Sequence, residues 1–74
     1  MTKTLAELID RSFTIKCYLQ VASYQLHQYE DGSYSDFHVD KLIDLPKLIK
    51  LAGGLNIKIF HDPDYIIVRL FERD

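Results

Sequence analysis

Two histidines and an aspartate, His27, Asp36 and His38, are of the residue types that bind zinc or a similar ion. In the hairpin predicted below they project from one face of two neighbouring strands, and together they would leave one coordination position open. Such residues are also common on the polar face of an exposed strand, where a His27–Asp36 contact is worth at most about 1 kcal/mol. We therefore expect no metal here and keep a small metal-binding protein as an alternative function.

The other reactive side chains do not assemble into a predicted catalytic group. Cys17 lies in an apolar run, where a free cysteine usually acts as a small buried hydrophobic residue. Gly53 and Gly54 follow a predicted helix instead of preceding one, so they do not form a phosphate-binding loop. The carboxylates near the first hairpin lack a predicted pocket that would tune them for acid–base catalysis. The sequence therefore predicts a protein that is not an enzyme and needs no cofactor.

Composition is that of a small folded domain. The chain has 74 residues, of which 47% are hydrophobic and 27% charged, with a formal net charge of −2. This balance disfavours disorder and lacks the concentrated positive charge that general nucleic-acid binding needs. The apolar runs fall far short of the roughly 20 residues that span a bilayer, and the N-terminus has no stretch of signal-peptide type. We expect a soluble cytoplasmic protein without membrane contact.

The N-terminal third is predicted to be a short helix followed by a long strand. Thr4 and Glu7 have the spacing of a capping box, and apolar residues then recur at helical spacing, which predicts a helix over 4–11. From residue 13 the apolar period becomes two, which predicts a strand over 13–29. Because a straight strand of that length would measure about 55 Å, a bend or bulge is predicted at 22–23.

A hairpin is predicted at Asp31-Gly32, since Asp-Gly is favoured in two-residue loops that require positive φ. The returning strand is predicted over 34–42. In this register the two strands have an apolar face and a mixed face. The facing pairs are Leu26 with Phe37 and Tyr24 with Val39 on the apolar face, and Tyr29 with Tyr34, His27 with Asp36 and Gln25 with His38 on the other.

The second half of the chain predicts a helix and another hairpin. Asp44 is a suitable N-cap, Pro46 fits the first turn, and Gly53 ends the helix. Strands follow over 55–60 and 65–72, joined by a turn at Asp62-Pro63-Asp64. The predicted buried helix positions are Leu45, Leu48, Ile49 and Ala52. The predicted strand pairs are Ile59 with Val68, Ile57 with Leu70, Phe60 with Ile67, Lys58 with Arg69, and Asn56 with Phe71.

These elements predict one α+β domain over residues 1–74, in the order α-β-β-α-β-β. The four strands form an antiparallel sheet, with two helices mainly on one face. Two short helices cannot cover both faces, so the mixed face should meet a partner. The alternative is that the N-terminal helix covers that face and hides Phe60, Ile67 and Phe71. Lys58 opposite Arg69 supports a partner surface, since like charges across strands are unfavourable unless an acidic group neutralises them or they splay into water.

The predicted function is non-enzymatic protein–protein interaction, with a homodimer through the terminal strand or the mixed face as the simplest form. From size alone, we expect an accessory or inhibitory protein of the kind that phages and mobile elements encode. Single-stranded nucleic-acid binding by base stacking on the aromatic face is a further alternative. The predicted partner-binding residues are Tyr29, Tyr34, His27, Asp36, His38, Lys58, Phe60, Ile67, Arg69 and Phe71.

Overall fold

The computed structural model of the protein describes residues 2–40 and 42–72, with only the backbone of residues 2–4. It confirms the predicted fold class, element order and antiparallel four-stranded sheet. The strands lie side by side in the order β1-β2-β4-β3. The elements are α1 (Thr2–Leu19), β1 (Gln25–His27), β2 (Tyr34–Val39), α2 (Leu45–Ala52), β3 (Asn56–His61) and β4 (Ile66–Phe71).

α1 is one continuous helix of 18 residues, so the strand predicted from residue 13 is wrong. Its buried positions are Leu8, Ser12, Ile15 and Leu19, which recur at helical spacing along one side. The apolar pattern is interrupted by the polar Ser12, and that interruption made the helix look shorter than it is. The predicted capping box is also wrong, because the helix begins at Thr2; the side chain of Thr4 lies outside the described part.

Two side chains that the strand prediction buried are exposed on α1. Phe13 is 59% exposed, and Cys17 is exposed as well, because both lie away from the buried stripe of the helix. The chain leaves α1 at Gln20, whose φ is 59°. The direction change predicted at 22–23 therefore lies in the connection between α1 and β1, and no bulge within a strand is needed.

The first hairpin pairs two residues away from the predicted register. Gln25 lies opposite Asp36, and His27 lies opposite Tyr34. The turn hydrogen bond joins the Gly32 amide to the Tyr29 carbonyl at 3.3 Å, so Asp31-Gly32 is not the two-residue loop. The predicted facing pairs are therefore wrong. A shift of two residues keeps each side chain on its face, so the predicted assignment of residues to the two faces is correct.

β2 ends earlier than predicted, at Val39 instead of residue 42. Residue 41 lies outside the described part of the chain. At the other end of the sheet, the Glu72 amide donates to the Ser33 carbonyl at 2.9 Å, and the Ser33 amide donates to the Glu72 carboxylate at 3.0 Å. These bonds continue the β2–β4 pairing beyond the end of each strand.

The caps of α2 are confirmed. The carboxylate of Asp44 accepts from the Lys47 amide at 3.2 Å, and the following Pro46 lies in the first turn. Gly53 has φ 61° and donates its amide to the Lys50 carbonyl at 3.2 Å. Glycine suits this position because a side chain would strain the left-handed backbone.

The buried side of α2 is narrower than predicted. Leu48 and Ala52 are fully buried, whereas Leu45 and Ile49 are exposed. The last two therefore extend the apolar surface of the helix beyond the part that the sheet covers. The core beneath the helices is formed by Leu8, Ile15, Leu19, Phe37, Val39, Leu48, Ala52, Leu55, Val68 and Leu70.

The second hairpin has every facing pair that the sequence predicted. Ile59 lies opposite Val68, and Lys58 lies opposite Arg69. β4 also pairs with β2 on its other side, in antiparallel register, so that Asp36 lies opposite Arg69. β4 is therefore an inner strand, and the predicted homodimer through the edge of the terminal strand is wrong.

One polar contact joins α1 to the sheet inside this core. The hydroxyls of Ser12 and Ser35 lie 2.7 Å apart and are fully buried. Replacing either serine by alanine leaves the other hydroxyl without this partner, at an expected cost of about 1–3 kcal/mol in the free energy of unfolding. The double alanine variant should lose less than the two single changes together, which urea denaturation of all four proteins will measure. Strictly additive losses would show that the two hydroxyls are not coupled.

Candidate functional site

In the described part of the chain, neither helix covers the second face of the sheet. This face corresponds to the predicted mixed face, and we call it the open face. α1 packs against β2 and β4, and α2 against β3, on the side that carries Phe37 and Ser35. The alternative in which the N-terminal helix covers the second face is therefore wrong. The open face consists of His27, Tyr34, Asp36, His38, Lys58, Phe60, Ile67, Arg69 and Phe71, with Tyr29 of the β1–β2 loop packed beside Tyr34.

The centre of the open face is an ion pair between β2 and β4. The guanidinium of Arg69 donates from Nε and Nη2 to the two carboxylate oxygens of Asp36, at 2.7 and 2.9 Å. The side chain of Arg69 is 28% exposed and that of Asp36 only 8%. The hydrogen bond to Asp36 raises the pKa of Arg69, against a smaller opposing effect of desolvation. Because Asp36 pairs with Arg69, the predicted His27–Asp36 contact is wrong.

Side chains of the same protein compensate the like charges of Lys58 and Arg69. Asp36 neutralises Arg69 from the opposite side of β4. The ammonium of Lys58 instead lies 5.5 Å from the ring centroid of Phe71, at a distance that suits a cation–π contact. An acidic group from a partner is therefore not needed to explain this pair.

Aromatic rings surround the ion pair. The guanidinium carbon of Arg69 lies 4.3 Å from the ring centroid of Tyr34 and 4.9 Å from that of Phe60. The Tyr34 ring also lies 4.8 Å from His27 and 5.8 Å from Phe71, centroid to centroid. These contacts restrain the rings before any partner arrives, and restrained rings lose little conformational entropy on binding.

Tyr29 extends this cluster from the loop. Its ring stacks on Tyr34 with 5.9 Å between centroids, and the hydroxyl of Tyr29 raises the pKa of Tyr34 above its ordinary value of 10.0. The Tyr29→Phe variant should therefore titrate Tyr34 at a lower pH, which ultraviolet absorbance of the phenolate will show.

The raised pKa of Tyr34 also determines how the stability of the protein changes with pH. A phenol whose pKa is raised by folding favours the folded state below its unfolded pKa, and the benefit disappears as the pH rises through the folded pKa. The stability difference between wild type and Tyr29→Phe should accordingly shrink in alkaline solution. An unchanged titration of Tyr34 in the variant would show that the Tyr29 hydroxyl does not raise this pKa.

The alternative metal set is not assembled. His27 lies opposite Tyr34, and the carboxylate of Asp36 is bound to Arg69. Within the described ranges 2–40 and 42–72, no group of three or more His, Cys, Asp or Glu side chains is arranged to hold a metal ion. His38 instead packs its ring against Tyr65, with 5.0 Å between centroids.

Two contacts on the open face were not predicted from the sequence. Alternation with Ile67 places Tyr65 on this face, but its packing against His38 depends on β2 lying next to β4. The Asp36–Arg69 pair had no local signal, because it depends on β2 lying next to β4.

At the β1–β2 loop the open face deepens into a cavity of about 400 Å³. Tyr29, Tyr34 and Phe71 supply its aromatic walls, and Asp31 and Glu72 supply carboxylates. The lining thus combines ring surface with negative charge.

Neither helix of the described residues is both long and apolar enough to cross a membrane. No protein-family model matches the chain, and neither a curated protein nor a solved structure matches it.

Proposed function

We propose that the protein is a non-enzymatic protein–protein interaction module and that the open face is its docking surface. The observation that carries this proposal is a sheet face rich in aromatic residues that both helices leave uncovered. Such a module acts as an accessory or inhibitory protein by covering a surface of its partner. A second copy of the chain is the simplest partner.

The composition of the open face supports a protein partner. Tyrosine, phenylalanine and arginine are enriched in the cores of protein interfaces, where they combine contact area with directional donors. Here Arg69 is held between Tyr34 and Phe60 and is already paired with Asp36. A docking protein can therefore cover this cluster without leaving an unpaired charge in the interface.

The same contacts weaken the nucleic-acid alternative. Base stacking needs an accessible ring face, but Tyr34 already contacts His27, Tyr29 and Arg69. Strand binding also needs unpaired positive charge to follow the phosphates. Asp36 neutralises one of the two basic residues of the open face.

The cavity at the β1–β2 loop suggests how a partner is anchored. Its aromatic walls and the carboxylates of Asp31 and Glu72 favour a basic side chain, because a cation gains from both. Tyr29 is the most exposed of the rings at this site, so it is the first contact for such a side chain.

Affinity capture with matched variants tests the proposal. The Tyr29→Ser, Phe60→Ser double variant removes two exposed rings of the open face, and Phe13→Ser removes an exposed ring of α1 on the other side of the sheet. The expected result is one protein that wild type and Phe13→Ser retain equally and the double variant does not. The purified partner should then bind wild type at least about tenfold more tightly than the double variant, measured by calorimetry.

Two results would overturn this function. One is a partner that binds all three proteins with equal affinity, since the open face would then contribute nothing. The other is tight binding of single-stranded oligonucleotides to wild type that weakens steeply with salt, which would favour the stacking alternative.

A further inference from the structure

The two edges of the sheet differ in how well they are protected. β1 is an edge strand of only three residues, whereas β3 has six, each paired in unbroken register with β4. No strand of the described residues pairs with the outer side of β3. β3 contains no proline or bulge, which are common ways of preventing strand addition at an edge, and its one lysine, Lys58, lies over the Phe71 ring of β4.

The backbone groups that β3 leaves free can be assigned from the hairpin turn. The Asp62 amide donates to the Tyr65 carbonyl at 3.0 Å, so these residues form a hydrogen-bonded pair of the antiparallel ladder. Hydrogen-bonded and non-hydrogen-bonded pairs alternate along such a ladder. The N–H and C=O groups of Ile57, Ile59 and His61 therefore point outward, to the free edge.

Apolar side chains adjoin this edge on the helix side. Leu42 is 96% exposed, and with Leu45 it lines a groove of about 240 Å³ that also includes Ile59 and His61. Ile49, which is 57% exposed, lies one turn beyond Leu45 on the same side of α2. The free edge and the exposed side of α2 thus form one continuous surface.

We infer that this surface binds a second copy of the chain, with β3 pairing antiparallel to its counterpart around a two-fold axis at Ile59. The two sheets would join into one sheet of eight strands. A two-fold axis that relates adjacent antiparallel strands is perpendicular to the sheet, so the helices of both copies lie on the same side. The exposed side of α2, with Leu45 and Ile49, then faces that of the other copy.

The residues of β3 select this register. Centred on Ile59, the ladder pairs Ile57 of one copy with His61 of the other, and Ile59 with its counterpart. All of these residues have outward backbone groups, so every pair exchanges hydrogen bonds. Lys58 then lies opposite Phe60, where a cation and a ring attract each other.

The neighbouring registers are less favourable. Centring the ladder on Lys58 sets two ammonium groups opposite each other, which is destabilising. Centring it on Phe60 brings Pro63 opposite Ile57, and proline has no N–H to donate. A second copy is therefore a better fit to this edge than an arbitrary strand, because its own sequence matches the edge in one register.

α2 also suits a two-fold contact. Lys47 is two positions from both Leu45 and Ile49, so it lies on the opposite side of the helix. The side that meets the other copy therefore presents Leu45 and Ile49. On the open face this interface involves only Lys58 and Phe60, at the edge of the sheet, and it leaves the Tyr29–Tyr34 side uncovered. Ile49→Lys and His61→Pro change no residue of the open face, so they test the dimer separately from the docking function.

Sedimentation equilibrium over a concentration series tests the dimer. The weight-average mass should rise from the 8.7 kDa of one chain toward twice that value. Ile49→Lys should raise the dimer dissociation constant at least about tenfold, because it places a charge in the helix contact. Phe13→Lys is the matched control, since Phe13 is 59% exposed but lies outside the surface, and it should dimerise like wild type.

The backbone contact has its own variant. His61→Pro removes an outward N–H that β4 does not use, so the monomer should keep its fold by circular dichroism while dimerisation weakens. Amide hydrogen exchange should also slow at Ile57, Ile59 and His61 as wild type is concentrated. The weakest dimer of interest has a dissociation constant of about 1 mM. A wild-type chain that remains monomeric at a concentration of about 1 mM would therefore overturn the inference. So would a dimer that Ile49→Lys and His61→Pro leave intact.

Discussion

Replacing Phe37 by alanine is expected to lower the free energy of unfolding by about 3–5 kcal/mol. The ring is fully buried at the centre of β2, opposite Val68, and lies 5.3 Å from the ring of Tyr24. A chain of this length has a total stability of roughly 4–11 kcal/mol, so the loss approaches the whole of it at the lower end. Urea denaturation followed by circular dichroism measures the change.

Phe13→Ala is the control for this variant, because it removes the same ring from the surface of α1. The Phe13 ring is 59% exposed, and Lys16 lies 5.7 Å from its centroid. The cost should stay within about 0.5 kcal/mol, as for most surface substitutions. If both variants lost the same stability, the assignment of Phe37 to the core and Phe13 to the surface would be wrong.

Replacing Arg69 by methionine is expected to lower the free energy of unfolding by about 2–4 kcal/mol. The change leaves the carboxylate of Asp36, which is 8% exposed, without its bidentate partner. Removing one member of a buried ion pair is costly because the remaining charge has lost its compensation. The lower end of the range applies because the side chain of Arg69 is 28% exposed and water can partly replace it.

The reciprocal variant makes this prediction specific. Asp36→Asn keeps the shape of the side chain and leaves the charge on the better-exposed member, so it should cost less than Arg69→Met. The double variant should recover part of the loss of Arg69→Met, because no unpaired carboxylate remains. Equal losses for both single variants, with simple addition in the double, would exclude coupling across β2 and β4.

The elements that the sequence predicted well depend on local signals. α2 has its N-cap at Asp44 and its C-cap at Gly53, each within a few residues of the helix it ends. The β3–β4 register follows from the Asp62-Pro63-Asp64 turn together with alternating apolar residues on both strands. Capping and turn chemistry act between neighbours in the chain, and a single sequence displays them directly.

The errors arose where burial contradicted the apolar pattern. In α1 a hydroxyl at Ser12 is acceptable in the core only because Ser35 of β2 supplies a partner. Phe13 and Cys17 suggested a strand but are exposed on the helix. The predicted register of the first hairpin was wrong by two residues, because the loop is longer than the predicted two residues and allows several registers. Registers that differ by two residues keep each side chain on the same face.

By itself, the sequence determined the class of fold, the order of its elements and which strand residues share a face, because periodicity and turn residues act over short separations. Tertiary structure decided which strands are neighbours, and so which strand is an edge. With β2 beside β4, Asp36 meets Arg69, the terminal strand lies inside the sheet, and the outer side of β3 is left unpaired. Those outcomes depend on contacts between residues more than 30 positions apart, whose geometry no local pattern of the chain specifies.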